Sequence, residues 1–211
     1  MPRNSLKAIF LDIDGTLYRS SDYEQHLLTS SVMVIAECLG IDRAEAFKKL
    51  YETKKIHKTV SKSVEVLGID RRKFYSLLAE NVQPCRYLSP DPSLKRFFAE
   101  VRDRRLFVGL HTNSGKKLAL KVLGCLGVDD GCYDALVTSD DAEPKPSLEG
   151  FRLLLSMAGV SPEEALYVGD RCEVELEPAK RLGMRTAEIH TSGCPYADIH
   201  LNSLQELLSI I

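Results

Sequence analysis

The sequence predicts an α/β fold: a doubly wound parallel sheet with a small all-helical domain inserted after the first strand. Two patterns lead to this prediction. From Pro90 onward, short apolar runs alternate with segments of helical periodicity, which is typical of a parallel sheet with helices on both faces. From about Tyr23 to Glu80, only helical periodicity is found. We therefore expect a core domain at residues 1–17 and 89–211 and a helical domain at residues 18–88.

Six strands are predicted along the chain. Most are short runs of apolar residues, as expected for strands that are buried on both faces of a sheet. They are residues 7–11, 106–110, 135–137, 165–168, 185–189 and 199–201. Between and after them we expect helices at residues 92–103, 116–126, 148–158 and 203–208, and a capping box at residues 161–164.

Start and stop signals divide the helical domain. Apolar residues recur at helical spacing from Leu27 to Leu39, and Gly40 is a stop signal for that helix. Asp42 and Asp70 each precede a further helical pattern. Three helices are therefore expected here.

Composition excludes several classes of protein. The chain has 211 residues, of which 44% are hydrophobic and 27% charged, and its net charge is −2. Near-neutrality gives no electrostatic reason to expect a nucleic-acid polymer or a membrane as partner, and no apolar run reaches the roughly 20 residues of a membrane helix. The segment Met1–Lys7 carries no export signal, so we expect a cytoplasmic protein, as a monomer or dimer. In that setting reduced thiols are expected at all six cysteines, Cys38, Cys85, Cys125, Cys132, Cys172 and Cys194.

Polar residues follow four of the predicted strands. Asp12 and Asp14 come after the first strand and are two residues apart, so in extended backbone their side chains project the same way. Such a pair can divide nucleophilic attack and proton transfer, and two close carboxylates call for a hard cation such as Mg²⁺. The alternative is an Asx turn that ends the strand and caps a helix.

The other three strand ends carry phosphate-binding and metal-binding residue types. Thr112, Asn113 and Ser114 offer a hydroxyl, an amide and backbone N–H groups at the start of a helix, which suits a phosphate or simply caps the helix. Lys145, between two prolines, is a cation able to neutralise a phosphoryl group, or a solvated lysine. Asp170 is a candidate metal ligand, or part of an acidic helix start.

Together these residues resemble the motifs of the haloacid dehalogenase superfamily of phosphohydrolases. Asp12–Thr16 is similar to the first motif of that family, and Thr112 with Asn113 to the second. Lys145–Pro146 resembles the third motif and Gly169–Glu175 the fourth, so the resemblance runs along nearly the whole chain.

The resemblance implies a Rossmann-like core and a mechanism. Asp12 would attack phosphorus as the nucleophile, and Asp14 would protonate the leaving group and then activate water. Thr112 and Lys145 would bind the phosphoryl group, with Asn113 beside them. Mg²⁺ would lie on Asp12, on the carbonyl oxygen of Asp14 and on Asp170.

Asp14 also distinguishes reaction classes, because the dehalogenases of this superfamily lack an acid at that position and its phosphatases keep one. Two residues depart from the usual fourth motif: Glu175 replaces an Asp, and Arg171 replaces a small residue. The longer acid suits a supporting role near the metal.

The helical domain lies where the family places its C1 cap, and the chain resembles the pyrimidine 5′-nucleotidase and phosphoglycolate phosphatase-like branches. A basic cluster in this domain either faces a second anionic group or is a solvated helix face; it consists of Lys54, Lys55, His57 and Lys58.

The expected function is therefore that of a Mg²⁺-dependent phosphate-monoester hydrolase. It would act through an aspartyl-phosphate on a small phosphorylated metabolite, a nucleoside monophosphate or a phosphoglycolate-like acid. The alternatives are a phosphomutase of the same superfamily, and a non-catalytic member that binds phosphate ligands or a protein.

Overall fold

Six parallel strands form one sheet in the computed structural model of the chain, which describes residues 6–211. The strand order is β3-β2-β1-β4-β5-β6, which confirms the predicted doubly wound α/β fold. Every predicted strand is present to within one residue at each end. The strands are β1 Ala8–Asp12, β2 Phe107–His111, β3 Ala135–Val137, β4 Ala165–Gly169, β5 Arg185–Ile189 and β6 Ile199–Leu201. Residues 1–5, which belong to the predicted core and to the segment examined for an export signal, lie outside the described residues.

Nine helices accompany the sheet in the described part of the chain. They are α1 Ser21–Leu39, α2 Arg43–His57, α3 Val60–Val66, α4 Arg71–Asn81, α5 Pro92–Asp103, α6 Lys116–Leu126, α7 Glu149–Ala158, α8 Glu177–Arg181 and α9 Leu204–Leu207. Helices α5 and α6 have the predicted bounds, and the capping box of Ser161 and Glu164 forms on a single 3₁₀ turn. The turn is short because β4 begins at Ala165.

Two helical segments escaped sequence analysis. Helix α3 has seven residues and lacks the leucine pattern of its neighbours. The segment Cys172–Leu176 forms a π-helical turn that leads into α8, and Pro178 stands in the first turn of that helix.

Helices α1–α4 lie between β1 and β2, and we call them the helical insert. Each begins with a side chain that accepts a hydrogen bond from a backbone N–H of its first turn; these residues are Ser20, Asp42, Thr59 and Asp70. Helix α1 ends at Gly40, which has a positive φ of 66°. Polar caps thus define where each helix of the insert begins.

The central strand β1 is fully buried, as its unbroken apolar run predicted. Ile9 and Leu11 belong to the apolar core on one side of the sheet, and Ala8 and Phe10 to the core on the other. In the register of the sheet Asp12 lies beside His111 of β2. The polar residues that follow β1, β2 and β4 therefore meet at one edge of the sheet.

The prediction of six reduced thiols is wrong for four cysteines. Disulfides join Cys85 to Cys125 and Cys172 to Cys194, with Cα–Cα distances of 5.0 and 5.4 Å, whereas Cys38 and Cys132 are free. The partners are 40 and 22 residues apart, so only the fold brings them together. Cysteine usage therefore gives no support for the cytoplasmic location, which stays a prediction. Among the described residues, no helix is long and apolar enough to cross a membrane.

Candidate active site

A cavity of about 630 Å³ lies between the carboxyl edge of the sheet and the helical insert. Five of the six predicted site residues line it, namely Asp12, Asp14, Thr112, Asn113 and Asp170. The sixth, Lys145, lies directly behind Asp12. The structure thus brings all six predicted residues to one place.

Lys145 is fully buried, and its ammonium group contacts four oxygen atoms. It donates a short hydrogen bond to Asp12 Oδ1 and lies 3.0 Å from Glu175 Oε1. The carbonyl oxygen of His111 and Tyr167 Oη lie 3.0 and 3.2 Å away. Lys145 is therefore a fixed positive charge between two carboxylates, and the alternative of a solvated lysine is wrong.

Asn113 holds the Lys145 backbone in place. Its Nδ2 donates to the Lys145 carbonyl at 2.9 Å, and its Oδ1 accepts from the Lys145 N–H at 2.7 Å. The carbonyl oxygen of Asn113 accepts a hydrogen bond from Ser61 Oγ of the helical insert at 2.8 Å. The side-chain amide is thus engaged with Lys145, and direct binding of phosphate by Asn113 stays a prediction.

Asp14 is oriented by two hydroxyl groups. Tyr18 Oη donates to Asp14 Oδ1, and Thr112 Oγ1 donates to Oδ2 at 3.2 Å. Burial, together with the nearby charge of Asp14, raises the pKa of Tyr18 far above its ordinary value, so Tyr18 remains protonated and can donate. Sequence analysis did not predict that Tyr18 orients Asp14. The indication in the sequence was the position of this tyrosine, four residues after Asp14.

Glu175 is saturated by N–H groups. Its Oε1 accepts from Lys145 and from Nε and Nη2 of Arg171, the latter two at 3.1 and 2.6 Å. Its Oε2 accepts from the backbone N–H groups of Asp170 and Arg171, each at 3.2 Å. Burial opposes ionisation of Glu175, but Arg171 and Lys145 hold its pKa below the usual range. The two departures from the usual fourth motif therefore form one ion pair, built on the π-helical turn.

Asp12 and Asp170 are the carboxylates of this site that have oxygen atoms available to bind a cation. One oxygen of each lies within 4.8 Å of the other and of Glu175. Oδ1 of Asp170 is buried and has no hydrogen-bond partner among residues 6–211. Burial and the charge of Glu175 raise the pKa of Asp170 to about 6, and the same two causes raise that of Asp12. Buried, closely spaced carboxylate oxygens fit a hard divalent cation such as Mg²⁺.

Gly15 is required by the close approach of Asp170. Its φ is 98°, a region that side chains other than glycine rarely adopt, and a Cβ atom there would overlap the Asp170 carboxylate. The glycine of the first motif thus lets two loops of the sheet bring their carboxylates together.

Comparisons with known proteins agree with this geometry. The sequence model of the haloacid dehalogenase-like hydrolases matches residues 6–183. A glyceraldehyde 3-phosphate phosphatase of Methanocaldococcus jannaschii is 30% identical over 98% of this chain and 97% of its own. A phosphoglycolate phosphatase of Aquifex aeolicus is 30% identical over 49% of this chain and 48% of its own. Among solved structures, a phosphatase from Thermococcus onnurineus superposes with a TM-score of 0.73 at 26% identity, covering 97% of both chains.

The raised pKa values predict how Mg²⁺ changes thermal stability with pH. Because the pKa values of Asp12 and Asp170 are raised in the folded chain, their protonated forms favour folding when no metal is bound. This contribution to the free energy of unfolding is complete below about pH 4. It is lost as pH rises through the folded-state pKa values, about 6 for Asp170 and higher for Asp12. Mg²⁺ must displace protons at low pH but not at high pH. Saturating Mg²⁺ should therefore raise the melting temperature by about 5 °C or more near pH 8.5, and by much less near pH 5.5.

Differential scanning fluorimetry with EDTA or MgCl₂ measures this difference. The variant Asp170→Asn serves as control and should lose most of the Mg²⁺-dependent rise. A rise of equal size at both pH values, or one that persists in the variant, would contradict the assignment of Asp12 and Asp170 to the cation.

Proposed function

Because the chain belongs to the haloacid dehalogenase-like hydrolases and is a phosphatase, we propose that it cleaves small phosphate monoesters through an aspartyl-phosphate formed on Asp12. The observation that carries this proposal is the separation of its carboxylates into two kinds. Asp12 lies against Lys145 and near Asp170, whereas Asp14 is oriented at the cavity wall by hydrogen bonds from Tyr18 and Thr112. Asp12 and Asp170 are thus placed to hold a phosphoryl group and a cation, and Asp14 is placed to transfer a proton.

In the first step, an Asp12 carboxylate oxygen attacks phosphorus and the bond to the ester oxygen breaks. Asp14, which takes up a proton from solvent when the ester binds, passes that proton to the ester oxygen, so the substrate leaves as an alcohol. Lys145 orients Asp12 and favours its ionised form against the burial and the Glu175 charge that raise its pKa, because the ammonium group lies against Oδ1 of Asp12. Mg²⁺, held by Asp12 and Asp170 and by the carbonyl oxygen of Asp14, would supply charge neutralisation for the phosphoryl oxygens.

In the second step, water attacks the phosphorus of the aspartyl-phosphate. Asp14, now deprotonated, accepts a proton from that water, and inorganic phosphate leaves with Asp12 regenerated. The Thr112 hydroxyl donates to Asp14 in the structure, so we propose that it orients the acid and binds the phosphoryl group once the ester is present.

We propose that the helical insert, with its connections at residues 18–88, is a cap that keeps water from the reaction. Several polar contacts join it to the sheet domain. Arg72 Nη2 donates to the Asp140 carbonyl at 3.1 Å, Lys58 pairs with Glu173 at 3.2 Å, and Ser61 bonds to Asn113. A closed cavity strengthens the electrostatic interactions within it and protects the intermediate from premature hydrolysis.

The substrate is proposed to be a small phosphorylated metabolite, either a nucleoside monophosphate or a small phosphorylated acid. A phosphomutase would use the same residues and differ in returning the phosphoryl group to a sugar. Release of inorganic phosphate from a panel of esters with Mg²⁺ tests for hydrolysis, and formation of isomeric sugar phosphates tests for the mutase. A non-catalytic member would have no need of a nucleophile, so the presence of Asp12 with Asp14, Lys145 and Asp170 argues against that alternative.

Asp12→Asn should lower kcat for p-nitrophenyl phosphate by at least about 10³-fold, because the amide cannot form the covalent intermediate. Its circular dichroism should match that of the wild type. The exposed Asp103→Asn is a matched control and should keep full activity. Retained turnover in Asp12→Asn would remove this residue from the nucleophile role.

Asp14→Asn should separate the two steps. p-Nitrophenolate leaves without a proton, so its release in the first turnover should be slowed far less than dephosphorylation, which should fall by about 10²–10⁴-fold. Stopped-flow absorbance should then show a burst of nitrophenolate close to the enzyme concentration, followed by slow turnover. With an alkyl phosphate both steps should be slow.

Tyr18→Phe removes one of the two hydrogen bonds to Asp14 and should give a milder form of the same pattern. If Asp14→Asn changed only the Mg²⁺ concentration needed for activity, the proton-transfer assignment would be wrong.

A further inference from the structure

Two cationic side chains line the cavity, and the proposed mechanism uses neither of them against the phosphoryl group. They are Arg171, from the sheet domain, and Lys54, from α2 of the helical insert. The acidic side chains of the wall are Asp12, Asp14 and Asp170, together with Glu24 on α1. The three aspartates belong to the phosphoryl and cation site. Arg171 borders that site, with its Nε 4.0 Å from Asp170 Oδ1, and Lys54 lies on the helical insert.

Arg171 is held rigidly with part of its guanidinium group free. Nε and Nη2 are bonded to Glu175 Oε1, and among the described residues no hydrogen bond uses Nη1. The side chain is 38% exposed at the cavity. A guanidinium that is fixed on one edge loses little conformational entropy when its other edge binds an anion.

Lys54 reaches the cavity from the helical insert. It lies in the last turn of α2, and its carbonyl oxygen accepts the N–H of Lys58 at 2.8 Å. Lys58 pairs with Glu173 at 3.2 Å, two residues from Arg171. This ion pair places the end of α2 over the turn that carries Arg171. Lys54 itself forms no ion pair within residues 6–211.

Two adjacent lysines of the basic cluster therefore differ in position. Lys54 lies at the cavity mouth, while Lys55 lies over the ring of Tyr51 at 4.3 Å and does not line the cavity. A lysine anywhere in the last helical turn would interact favourably with the helix dipole. That effect accounts for a basic cluster at the end of α2, but it does not account for the placement of one member in the wall of the cavity that Arg171 also lines.

We propose that Lys54 and Arg171 form a second anion subsite, so that the preferred substrate is a phosphate monoester with a second anionic group, a carboxylate or another phosphate. This inference rests on the proposed phosphatase function and deepens it. The Asp12 side of the cavity takes the phosphoryl group that is cleaved, and the second anion lies between α2 and the π-helical turn. Both cations also favour entry of a doubly anionic ester from solvent.

Matched substrate pairs test the subsite directly. 3-Phosphoglycerate and glycerol 3-phosphate differ by one carboxylate, and 1,3-propanediol bisphosphate and 3-hydroxypropyl phosphate differ by one phosphate. The wild-type enzyme should show a kcat/KM at least about tenfold higher for the anionic member of one or both pairs, mainly through a lower KM. The pair with the larger ratio identifies whether a carboxylate or a phosphate is preferred.

Lys54→Met should reduce that ratio by about tenfold, because the loss of kcat/KM falls mainly on the anionic substrate. Lys55→Met is the matched control and should keep the wild-type ratio. Ratios near one in the wild type, or equal losses for both members of a pair in Lys54→Met, would overturn the subsite. Absence of phosphate release from every ester, p-nitrophenyl phosphate included, would instead overturn the proposed function.

Discussion

Four carboxylates gathered at one edge of a sheet repel one another, and the surrounding structure is arranged to counter that repulsion. Asp12 and Glu175 are buried, and the ammonium group of Lys145 lies between them. Arg171 closes the other side of Glu175. Removing charges from water is costly, and attraction repays that cost only where hydrogen bonds are also complete, as they are around Glu175. The incomplete group is Asp170, and its spare oxygen is where a divalent cation would complete the balance.

The parallel sheet makes this arrangement possible. Strands β1, β2 and β4 are neighbours in space although they are far apart in the chain, so their carboxyl ends deliver Asp12, Thr112 and Asp170 to the same edge. Gly15 and Gly169 then leave room for the approach, because a Cβ atom on either would overlap a carboxylate of this group. The helical insert covers this edge of the sheet. Its residues Ser61 and Tyr75 are hydrogen-bonded to each other and pack on the loop after β2. In the proposed function, the sheet domain carries the reacting groups and the helical insert covers them.

Much of this could be predicted from local sequence. Buried strands show as apolar runs, and the residues that follow them must meet, so the six strands were predicted correctly and the six predicted site residues lie together. What escaped prediction depends on partners distant in the chain. The side-chain amide of Asn113 pairs with the backbone of Lys145, 32 residues away, and no local pattern shows such a bond. The disulfide of Cys172 with Cys194 required the folded structure in the same way. Arg171 and Glu175 are only four residues apart, but their pairing depends on the π-helical turn, which the sequence pattern did not predict.

The central claim is that Asp12 receives the phosphoryl group beside a cation shared with Asp170. A crystal structure of the chain grown with MgCl₂ and beryllium fluoride tests it most directly, since beryllofluoride mimics a phosphoryl group bound to a carboxylate. We expect beryllofluoride on an Asp12 oxygen, Mg²⁺ in contact with Asp12 and Asp170, and Lys145 Nζ still beside Asp12. Beryllofluoride on another residue, or Mg²⁺ bound away from Asp170, would contradict it.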